Sequence, residues 1–369
     1  MRLAFRVGYP RPAINSVSQQ LLGCPVGKIL LTGGAGYIGS HICLSLLSAG
    51  YTPIILDNFS NSNPAIGETL LKISGGAVHT EIGDVTDRDF LAGVFKKHSI
   101  DAVIHLAGFK SIPDSISQPM RYYRNNVGGM TRLLEIMEIE RCPILVFSSS
   151  AAVYGSHTRM PVTEDAAKTC TNPYAHTKLL CEEIIAAHRK NRNGFRYVNL
   201  RYFNPAGAHP SGWMGEDPLN DPTNLIPHIG QVASGLRHRV KIFGDDYETP
   251  DGTGVRDYIH VMDLAEAHVA ALKYLESDGE SGPFNLGSGV GHSVLEVIEA
   301  FERAYGRPIV REVAARRKGD VAICYADVGL AGRMLRWKAE KSLDQICEDA
   351  WRWQSNSLRV HGRPSSLTR

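Results

Sequence analysis

The sequence contains no run of about eighteen apolar residues, which is the length that a membrane-spanning helix requires. It also has no large charge excess, because 40 Lys and Arg residues stand against 38 Asp and Glu residues, a formal net charge of +2. Proteins that bind nucleic acids more often carry a marked basic surplus. We therefore expect neither a membrane nor a nucleic acid among its partners.

The seven cysteines form no Cys-x-x-Cys pair and no cluster with histidine at the spacing of a zinc site. Their odd number and their scatter along the chain predict free, mostly buried thiols in a reducing compartment. We therefore expect no bound metal ion and a cytoplasmic location.

Acidic residues are absent before Asp57, whereas residues 1–26 contain three arginines. A basic, acid-free leader is typical of an organelle-targeting peptide. A terminal extension without function would have the same composition, since chain ends are often poorly ordered. Residues 1–26 are thus predicted to be an N-terminal extension, either disordered or targeting.

What the sequence does contain is a regular alternation of short apolar runs and helical patterns over its first 200 residues. The runs predicted as strands are 28–32, 52–56, 77–82, 101–106 and 143–147, and the helical patterns are 37–50, 87–98 and 119–141. Such alternation indicates βαβ units and a parallel sheet. We therefore predict an α/β protein with a Rossmann-type doubly wound parallel sheet.

Beyond residue 200 the pattern changes, because proline and glycine become dense between Asn204 and Gly254. Long loops of this kind more often carry binding residues than structural ones. We predict a cofactor-binding domain over 27–200 and a smaller C-terminal α/β substrate-binding lobe over 201–355, interleaved with the first. Residues 356–369 form a basic tail.

A glycine-rich turn follows the first predicted strand and opens the first helix. Gly33, Gly36 and Gly39 give the spacing GxxGxxG, which lets the backbone approach a pyrophosphate at a helix N-terminus. Asp57 ends the second strand, where a carboxylate can accept hydrogen bonds from both adenosine ribose hydroxyls and would repel the 2′-phosphate of NADP. The turn and Asp57 together predict NAD as the cofactor, and Asp84 after the third strand is a weaker candidate for the adenine side.

Tyr174 and Lys178 are spaced i, i+4 at the start of a helical pattern, so the phenol and the ammonium share one face. The nearby positive charge favours the phenolate and would make Tyr174 a base closer to neutral pH. Ser150 ends the fifth strand, where its hydroxyl can reach the substrate and pass a proton toward Tyr174. A lone Tyr-x-x-x-Lys is weak, but its order after the glycine turn, Asp57 and Ser150 is informative.

Six blocks of sequence carry a resemblance to a known family. They are GGAGYIGSH at 33–41, HLAGFK at 105–110, YYRNNV at 122–127, SSSAAVYG at 148–155, RYFNPAGAHP at 201–210 and GVRDYIHVMDL at 254–264. On these blocks the chain resembles the extended short-chain dehydrogenase/reductases, and among them the UDP-glucose 4-epimerase family. The resemblance extends from Lys28 to Gln354.

The resemblance implies an isomerase of galactose metabolism that interconverts UDP-glucose and UDP-galactose through a 4-keto sugar. Tyr174, helped by Lys178, would take the proton of the 4-hydroxyl while tightly bound NAD takes the C4 hydride, and Tyr174 or Ser150 would later restore the proton. The resemblance also implies a homodimer joined by paired helices near 119–141 and 172–192.

The remaining site residues are likewise implied by family positions. Those implied for the cofactor are Gly33, Gly36, Tyr37, Ile38, Gly39, Asp57, Asn58, Asp84, Val85, Leu106, Ala107, Gly108, Lys110, Asn125, Tyr174, Lys178 and Phe203. Those implied for the UDP-hexose are Lys110, Ser150, Tyr174, Asn204, Asn224, Leu225, Phe243, Arg256, Tyr258, Arg317, Asp320 and Cys324. The two arginines also have a structural interpretation, in which Arg256 pairs with an acid such as Asp257 and Arg317 belongs to a solvated basic run.

Two positions depart from the family pattern or vary within it. Ala152 stands where many relatives have threonine, so one contact to the sugar is lost. Cys324 lies at the position that lines the hexose pocket, where a small residue admits N-acetyl groups and a tyrosine excludes them. We therefore expect UDP-GlcNAc and UDP-GalNAc as further substrates, unless Cys324 only fills the core.

Rival functions stay open on the same fold. Another NAD-dependent sugar-nucleotide epimerase would share every motif, and so would a dehydratase, except that elimination of water needs an added acid where Ala151 and Ala152 stand. A net NADPH reductase would be poorly suited to Asp57. A non-catalytic cofactor-sensing module would have no need to keep Tyr174 and Lys178.

Overall fold

The computed structural model describes residues 27–156, 159–217, 222–317 and 319–361. The predicted N-terminal extension lies outside the described residues, as do residues 362–369 of the predicted tail. The strands are β1 Lys28–Thr32, β2 Thr52–Asp57, β3 His79–Ile82, β4 Ala102–His105, β5 Ile144–Ser150, β6 Arg196–Tyr202, β7 Asn204–Ala206, β8 Val240–Phe243, β9 Val255–His260, β10 Gly282–Leu286, β11 Gly291–Ser293, β12 Arg311–Ala314 and β13 Ile323–Cys324.

The helices surround these strands on both sides. They are α1 Tyr37–Ser48, α2 Ile66–Ser74, α3 Arg88–His98, α4 Ile112–Ser117, α5 Pro119–Tyr122, α6 Gly128–Ile139, α7 Pro173–Lys190, α8 Leu225–Ala233, α9 Val261–Glu276, α10 Val294–Tyr305, α11 Gly329–Met334 and α12 Leu343–His361. A π-helical segment, Tyr123–Val127, joins α5 to α6, and a 3₁₀ turn, Ala151–Tyr154, follows β5.

Seven strands form one parallel sheet in the order β10-β6-β5-β4-β1-β2-β3. The chain moves outward from β1 to β3, then returns past β1 to β4 and continues in the opposite direction. This reversal between β1 and β4 defines a doubly wound sheet, and it creates the crevice in which such folds bind ligands. The predicted Rossmann-type fold is confirmed.

Both faces of the sheet are buried at its inner strands β1, β2, β4 and β5, which explains why the first parts of these strands are continuous apolar runs instead of alternating ones. Ile29 and Leu31 point to one face, where they pack with α1 and α9. Leu30 points to the other face and packs with residues of α3, α6 and α7, including Leu133 and Ile185. The sheet is therefore the middle layer of three.

A smaller group of elements follows β6. Strand β9 is central in its sheet and pairs with β7, β11 and β13, while β8 pairs with β12. Helices α8, α10 and α12 bury Ile229, Phe301 and Ile346 in a separate core. The chain is not simply divided, because α9 returns to pack on α1 and β10 returns to pair with β6.

The predicted helical stretch 119–141 differs from the structure in one respect. It consists of α5, the π-helical segment and α6 rather than one continuous helix. The interruption coincides with Asn126, whose buried side chain bonds the backbone of Phe109 on a neighbouring loop. Apolar periodicity does not report such a bond, whereas π-helical segments are frequent at functional sites.

Candidate active site

The carboxyl ends of the parallel strands bring most of the predicted cofactor and catalytic residues to one edge of the sheet. Asp57 is the last residue of β2 and Ser150 is the last residue of β5. Thr32 ends β1 and His105 ends β4, and the Thr32 hydroxyl and His105 Nδ1 lie 2.7 Å apart across the crevice between these strands. Ligands of doubly wound sheets bind outside this edge, at the point of reversal.

The glycine turn is dictated by its own packing as well as by any ligand. Gly33 has φ +70°, and a Cβ there would lie 2.7 Å from the backbone nitrogen of Ala107. A Cβ on Gly39 would lie 2.4 Å from the carbonyl oxygen of Gly33. At Gly36 the nearest atom would be 3.4 Å away, so Gly36 leaves open space at the start of α1. The turn is thus a cradle that larger residues would close.

Helix α1 begins at Tyr37 with Gly36 as its N-cap, so the cap position carries only a hydrogen atom. The backbone N–H groups of Tyr37 and Ile38 belong to the first turn, whose N–H groups lack partners within a helix and suit an anion. The Tyr37 hydroxyl donates to the carbonyl of Gly207 at 2.8 Å. This bond ties the cofactor turn to the second lobe, and burial raises the pKa of Tyr37, with Glu216 adding to the rise.

Asp57 is 9% exposed and already has three protein partners. Its carboxylate accepts hydrogen bonds from the backbone of Ala35 at 3.0 Å and of Phe59 at 2.9 Å, and from the hydroxyl of Ser62 at 2.9 Å. These bonds fix the carboxylate beside the glycine turn. Asp57 therefore caps its own turn, and its role toward a ribose stays a prediction.

Asn58 and Asp84 link the loops that follow β2 and β3. The Asn58 amide donates to Asp84 Oδ2 at 2.8 Å, and the backbone and hydroxyl of Thr86 donate to Oδ1. Burial raises the pKa of the Asp84 carboxyl, but these hydrogen bonds outweigh it and lower the pKa overall. Val85, the next residue, is buried, so the loop is held by these bonds and by its packing.

The loop after β4 is held against β1. The backbone N–H groups of Leu106 and Ala107 donate to the Thr32 carbonyl at 3.0 Å and 3.1 Å. A Cβ on Gly108 would lie 3.1 Å from the side-chain oxygen of Asn126. The loop therefore crosses the mouth of the crevice close to the glycine turn.

Asn126 is a site residue that the sequence analysis did not identify. It is 4% exposed, accepts a hydrogen bond from the backbone of Phe109 at 2.8 Å and donates to the hydroxyl of Thr177 at 3.1 Å. The predicted cofactor residue Asn125 donates to Asn126 at 3.0 Å. Asn126 thus connects the loop after β4 to the helix that carries Tyr174. The sequence signal that could have identified it is its place in the block YYRNNV at 122–127.

The predicted catalytic set comes together at the junction of β5 and α7. Asn172 caps α7 by accepting from the backbone of Ala175, which places Tyr174 in the first turn. The Ser150 side chain lies next to the Tyr174 phenol and acts to lower its pKa. Lys178 Nζ donates to the carbonyl of Ser148 at 2.6 Å. Tyr174 and Lys178 thus reach β5 from consecutive turns of α7, two residues apart on the strand.

The electrostatics of this set differ from the sequence-based prediction. Burial raises the pKa of Tyr174, and the hydrogen bond from Ser150 offsets only part of the rise. Burial also lowers the pKa of Lys178 to about 8. The Lys178 ammonium is directed to the Ser148 carbonyl, and burial is the dominant influence on the pKa of the Tyr174 phenol.

The second lobe contributes a face of polar side chains around β9. Asn204 pairs with Tyr258, and Arg256 pairs with Cys324. Residues in register on neighbouring strands point to the same side, as do residues two apart on one strand. These four predicted substrate residues therefore share one face, and Phe203 is buried just before Asn204.

Two predicted arginines lie at this face. Arg256 Nη1 donates to the carbonyl of Val255 at 2.8 Å, and its Nη2 lies 3.7 Å from Asp320 Oδ1. The Arg256 and Asp320 side chains are 20% and 41% exposed. Arg317 lies over the ring of Phe243, with Cζ 3.9 Å from the centroid. Asp257, the alternative partner considered for Arg256, instead accepts several backbone and serine hydrogen bonds in the interior.

Glu216 is a second residue that the sequence analysis missed. Its Oε1 accepts a hydrogen bond from Asn224 at 2.9 Å and lies 3.2 Å from Lys110 Nζ. Asn224 occupies the N-cap position before Leu225, yet its amide is directed to Glu216. One carboxylate thus gathers a predicted cofactor residue and a predicted substrate residue from opposite sides of the crevice.

Neither a metal-ligand cluster nor a membrane-spanning helix occurs in the described part of the chain. Within it, no three His, Cys, Asp or Glu side chains converge as metal ligands. No helix among the described residues is both long and apolar enough to cross a bilayer. Six cysteines are free thiols, whereas Cys24 lies outside the described residues.

A comparison with protein families decides the relationship that the motifs suggested. The NAD dependent epimerase/dehydratase family matches residues 29–287. The chain belongs to this family. Among its curated relatives, the UDP-glucose 4-epimerase of Mus musculus is 49% identical over 337 residues, covering 89% of this chain and 97% of the relative.

Solved structures of family members agree with this relationship. A UDP-glucose 4-epimerase from Stenotrophomonas maltophila, with bound NAD and formylated UDP-arabinopyranose, has a TM-score of 0.89 and 44% identity, covering 91% of this chain and 99% of that one. The enzyme from Bifidobacterium longum, in complex with NAD⁺ and UDP, has a TM-score of 0.86 and 45% identity, covering 89% and 98%. The family resemblance inferred from the sequence blocks is thereby confirmed.

Proposed function

We propose that this chain is a UDP-glucose 4-epimerase that interconverts UDP-glucose and UDP-galactose with NAD as a retained cofactor. The observation that carries the proposal is the convergence of Ser150, Tyr174 and the buried Lys178 where β5 meets α7. This set lies in a chain nearly half identical to a mammalian enzyme of that name. The reaction is an isomerisation, since the cofactor ends each turnover as it began.

The cofactor half fits NAD on the structure's own terms. The open space at Gly36 and the first-turn N–H groups of α1 suit a pyrophosphate. Asp57 sits where the adenosine ribose would meet the end of β2, and its negative charge disfavours a 2′-phosphate. NAD, when bound, supplies the hydride acceptor and donor for C4 of the sugar.

Side chains of α7 and β5 carry out the proton transfers. Tyr174 as phenolate takes the proton of the sugar 4-hydroxyl, and the adjacent Ser150 hydroxyl passes or shares it. Lys178, whose pKa is about 8, contributes its positive charge as long as it remains protonated. The 4-keto sugar must then present its other face to the same groups before the proton and hydride return.

The substrate half would hold the nucleotide more firmly than the sugar. Arg256 and Arg317 offer guanidinium groups suited to a diphosphate, and Asn224 and Asn204 offer amides. Asp320, half exposed beside Arg256, is placed to meet a ribose. We assign NAD mainly to residues 27–200 and the UDP-sugar mainly to residues 201–355.

Cys324 extends the proposal to N-acetylated sugars. The side chain is small, partly buried, and shares its face of the β9 sheet with Arg256 and Tyr258. A small residue at this position leaves room for the acetamido group. We therefore propose that UDP-GlcNAc and UDP-GalNAc are also interconverted.

The test is to incubate the purified full chain with UDP-galactose and no added NAD, and to follow UDP-glucose by chromatography. Formation of UDP-glucose supports both the reaction and the retained cofactor. Activity that appears only with added NAD contradicts tight retention. Absence of conversion with and without NAD contradicts the proposed function itself.

We also propose a homodimer formed through α6 and α7. The two helices pack together and leave a groove between them on the surface. It is lined by Thr131, Leu134, Glu135, Glu138, Ile184, Ala187, His188, Asn191 and Arg192. Light scattering on the purified chain tests this, and a mass of one chain at micromolar concentration contradicts it.

A cytoplasmic location completes the proposal. Four of the described cysteines, Cys43, Cys142, Cys181 and Cys347, are buried free thiols, which is typical of proteins kept in a reducing compartment. Fractionation of cells that express the full chain tests the location, and enrichment in an organelle contradicts it.

A further inference from the structure

A fully buried ion pair lies directly beneath the proposed active site. Arg201 on β6 is 1% exposed and Glu182 on α7 is 6% exposed. Arg201 Nε donates to Glu182 Oε1 at 2.9 Å and Nη2 donates to Oε2 at 2.6 Å. Buried ion pairs are often no more stabilising than apolar residues of similar volume. Stability alone is therefore a weak reason for this pair.

On one side the pair continues into the strand that carries Ser150. The Ser149 hydroxyl donates to Glu182 Oε1 at 2.5 Å. Lys178, one turn earlier on α7, donates to the carbonyl of Ser148 at 2.6 Å. Two consecutive turns of α7 thus hold the two residues of β5 that precede Ser150, and this sets the distance between β5 and the turn of α7 that carries Tyr174.

On the other side the pair holds the 3₁₀ turn that follows Ser150. Arg201 Nη1 donates to the Tyr154 hydroxyl at 2.8 Å and to the carbonyl of Glu164 at 2.9 Å. The Tyr154 hydroxyl donates to the side chain of Asn285 at 2.6 Å. The segments before and after Ser150 are therefore anchored to the same two charged residues, through the side chains of Ser149 and Tyr154.

The charge of Glu182 also acts on Lys178. Burial lowers the pKa of Lys178, and Glu182 opposes that change together with Cys181. Cys181 and Glu182 on α7 and His105 on β4 interact electrostatically with Lys178. Around this group, Arg201 and Tyr154 interact with Glu182, Glu164 interacts with Arg201, and Tyr202 interacts with Tyr174. Arg201 is a permanent cation, so loss of the Glu182 charge would leave two cations in one buried region.

We propose that Glu182 and Arg201 are positioning residues for the reaction, together fixing Ser150 against Tyr174 and holding the negative charge of Glu182 one turn from Lys178. The inference rests on the proposed function, since it assigns Ser150, Tyr174 and Lys178 their roles. A purely structural pair would make the same hydrogen bonds but would leave the pH dependence of turnover unchanged.

The first experiment measures kcat for UDP-galactose against pH in Glu182→Gln. The substitution keeps the shape and removes the charge that supports the Lys178 ammonium. The pKa of Lys178 then falls, so the alkaline limb of the kcat profile moves down by about 1 pH unit. Glu183→Gln is the matched control, because Glu183 is the adjacent residue, is exposed, and loses the same charge. Its profile should coincide with that of the unmodified chain.

Two further variants separate charge from geometry. Glu182→Asp keeps the charge on a shorter side chain, so kcat falls while the alkaline limb stays in place. Ser149→Ala removes the bond to Glu182 without changing any charge, and kcat falls about tenfold with little change in KM. Ser149→Ala also tests the positioning role if Glu182→Gln does not fold.

The outcomes are distinguishable. A folded, NAD-retaining Glu182→Gln with an unshifted alkaline limb and only a lower Tm overturns the electrostatic role. A Ser149→Ala variant with unchanged kcat overturns the positioning role. If the unmodified chain converts no UDP-sugar, the proposed function itself is wrong. If the unmodified chain converts UDP-galactose and the Glu182 and Ser149 variants behave like the Glu183→Gln control, only the positioning role is wrong.

Discussion

The two halves of the site are built in different ways. In the cofactor half, geometry is set by backbone and by buried polar groups, as at Gly33 and Gly39, where a Cβ would meet backbone within 3 Å. In the substrate half, Arg256 donates to the carbonyl of Val255 but lies 3.7 Å from the Asp320 carboxylate, and the exposed Arg317 rests on an aromatic ring. The first half is preorganised, whereas the second consists of side chains with room to adjust.

This difference suits an enzyme that keeps its cofactor and releases its substrate. A cradle that exists before binding loses little conformational entropy when a dinucleotide enters it. Adjustable side chains allow a nucleotide to be held while its sugar turns. Substitutions in the cofactor half should therefore abolish NAD binding, whereas substitutions in the substrate half should change KM or the substrate preference by degrees.

The largest effect is expected at the point where the halves meet. Tyr174→Phe removes the only atom with which this residue can accept a proton, so kcat should fall about 10³-fold. The control is Tyr123→Phe, which removes a hydroxyl that bonds His176 at the surface. Turnover of UDP-galactose measures both, and a Tyr174→Phe variant within tenfold of the unmodified chain contradicts the assignment.

Gly39→Ala tests whether the cofactor half is rigid. The new Cβ would lie 2.4 Å from the Gly33 carbonyl, so we expect loss of bound NAD and a free energy of unfolding lower by about 3 kcal/mol. Gly93→Ala, on the exposed face of α3 with open space around it, should be neutral or stabilise by up to about 1 kcal/mol. Chemical denaturation measures the free energy of unfolding, and the NAD content of the purified protein measures cofactor retention. If the two variants gave equal values, the cofactor half would not be rigid at Gly39.

Cys324→Tyr tests how adjustable the sugar pocket is. The larger side chain fills the space for an acetamido group, so conversion of UDP-GalNAc should fall about a hundredfold relative to UDP-galactose. Parallel assays with the two substrates give the ratio. The proposed substrate range is wrong if the unmodified chain converts UDP-galactose but not UDP-GalNAc.

The smallest effect is expected for Arg317→Gln. Loss of one guanidinium contact to a diphosphate should raise KM about tenfold with kcat nearly unchanged. Arg316→Gln is the neighbouring control, since Arg316 pairs with Asp246 at the surface, and it should change KM less than twofold. Equal KM values for the two variants would assign Arg317 to the solvated surface.

The sequence predicted five of the seven strands of the sheet, β1 to β5, because most of these are short apolar runs that end in recognisable turns. It predicted Gly33, Asp57 and Tyr174 for the same reason, since each follows a strand or opens a helix at a fixed place. It did not predict β6 and β10, which lie where the regular alternation of strands and helices has ended. It did not predict Asn126, Glu216 or the Arg201–Glu182 pair. Each of these acts through partners distant in the chain, as when Glu216 meets Lys110 106 residues away.

The activation of Tyr174 was also beyond the sequence. Spacing places a lysine on the same helical face, but the direction of a pKa depends on burial and on which acceptor the lysine chooses. In the structure that acceptor is the Ser148 carbonyl, and burial dominates the phenol. Periodicity contains no information on either quantity.

The return of α9 and β10 to the first sheet has a consequence for how the protein is made. Helix α9 covers the face of the sheet on which α1 lies, and β10 completes its edge. A ribosome that has synthesised β1 to β6 has therefore released a sheet with one face still partly bare, which remains so until residue 286 emerges. Because nascent chains fold by domains as they appear, this interval exposes apolar surface to other polypeptides. The nascent chain should depend on chaperones most strongly during the translation of its second lobe.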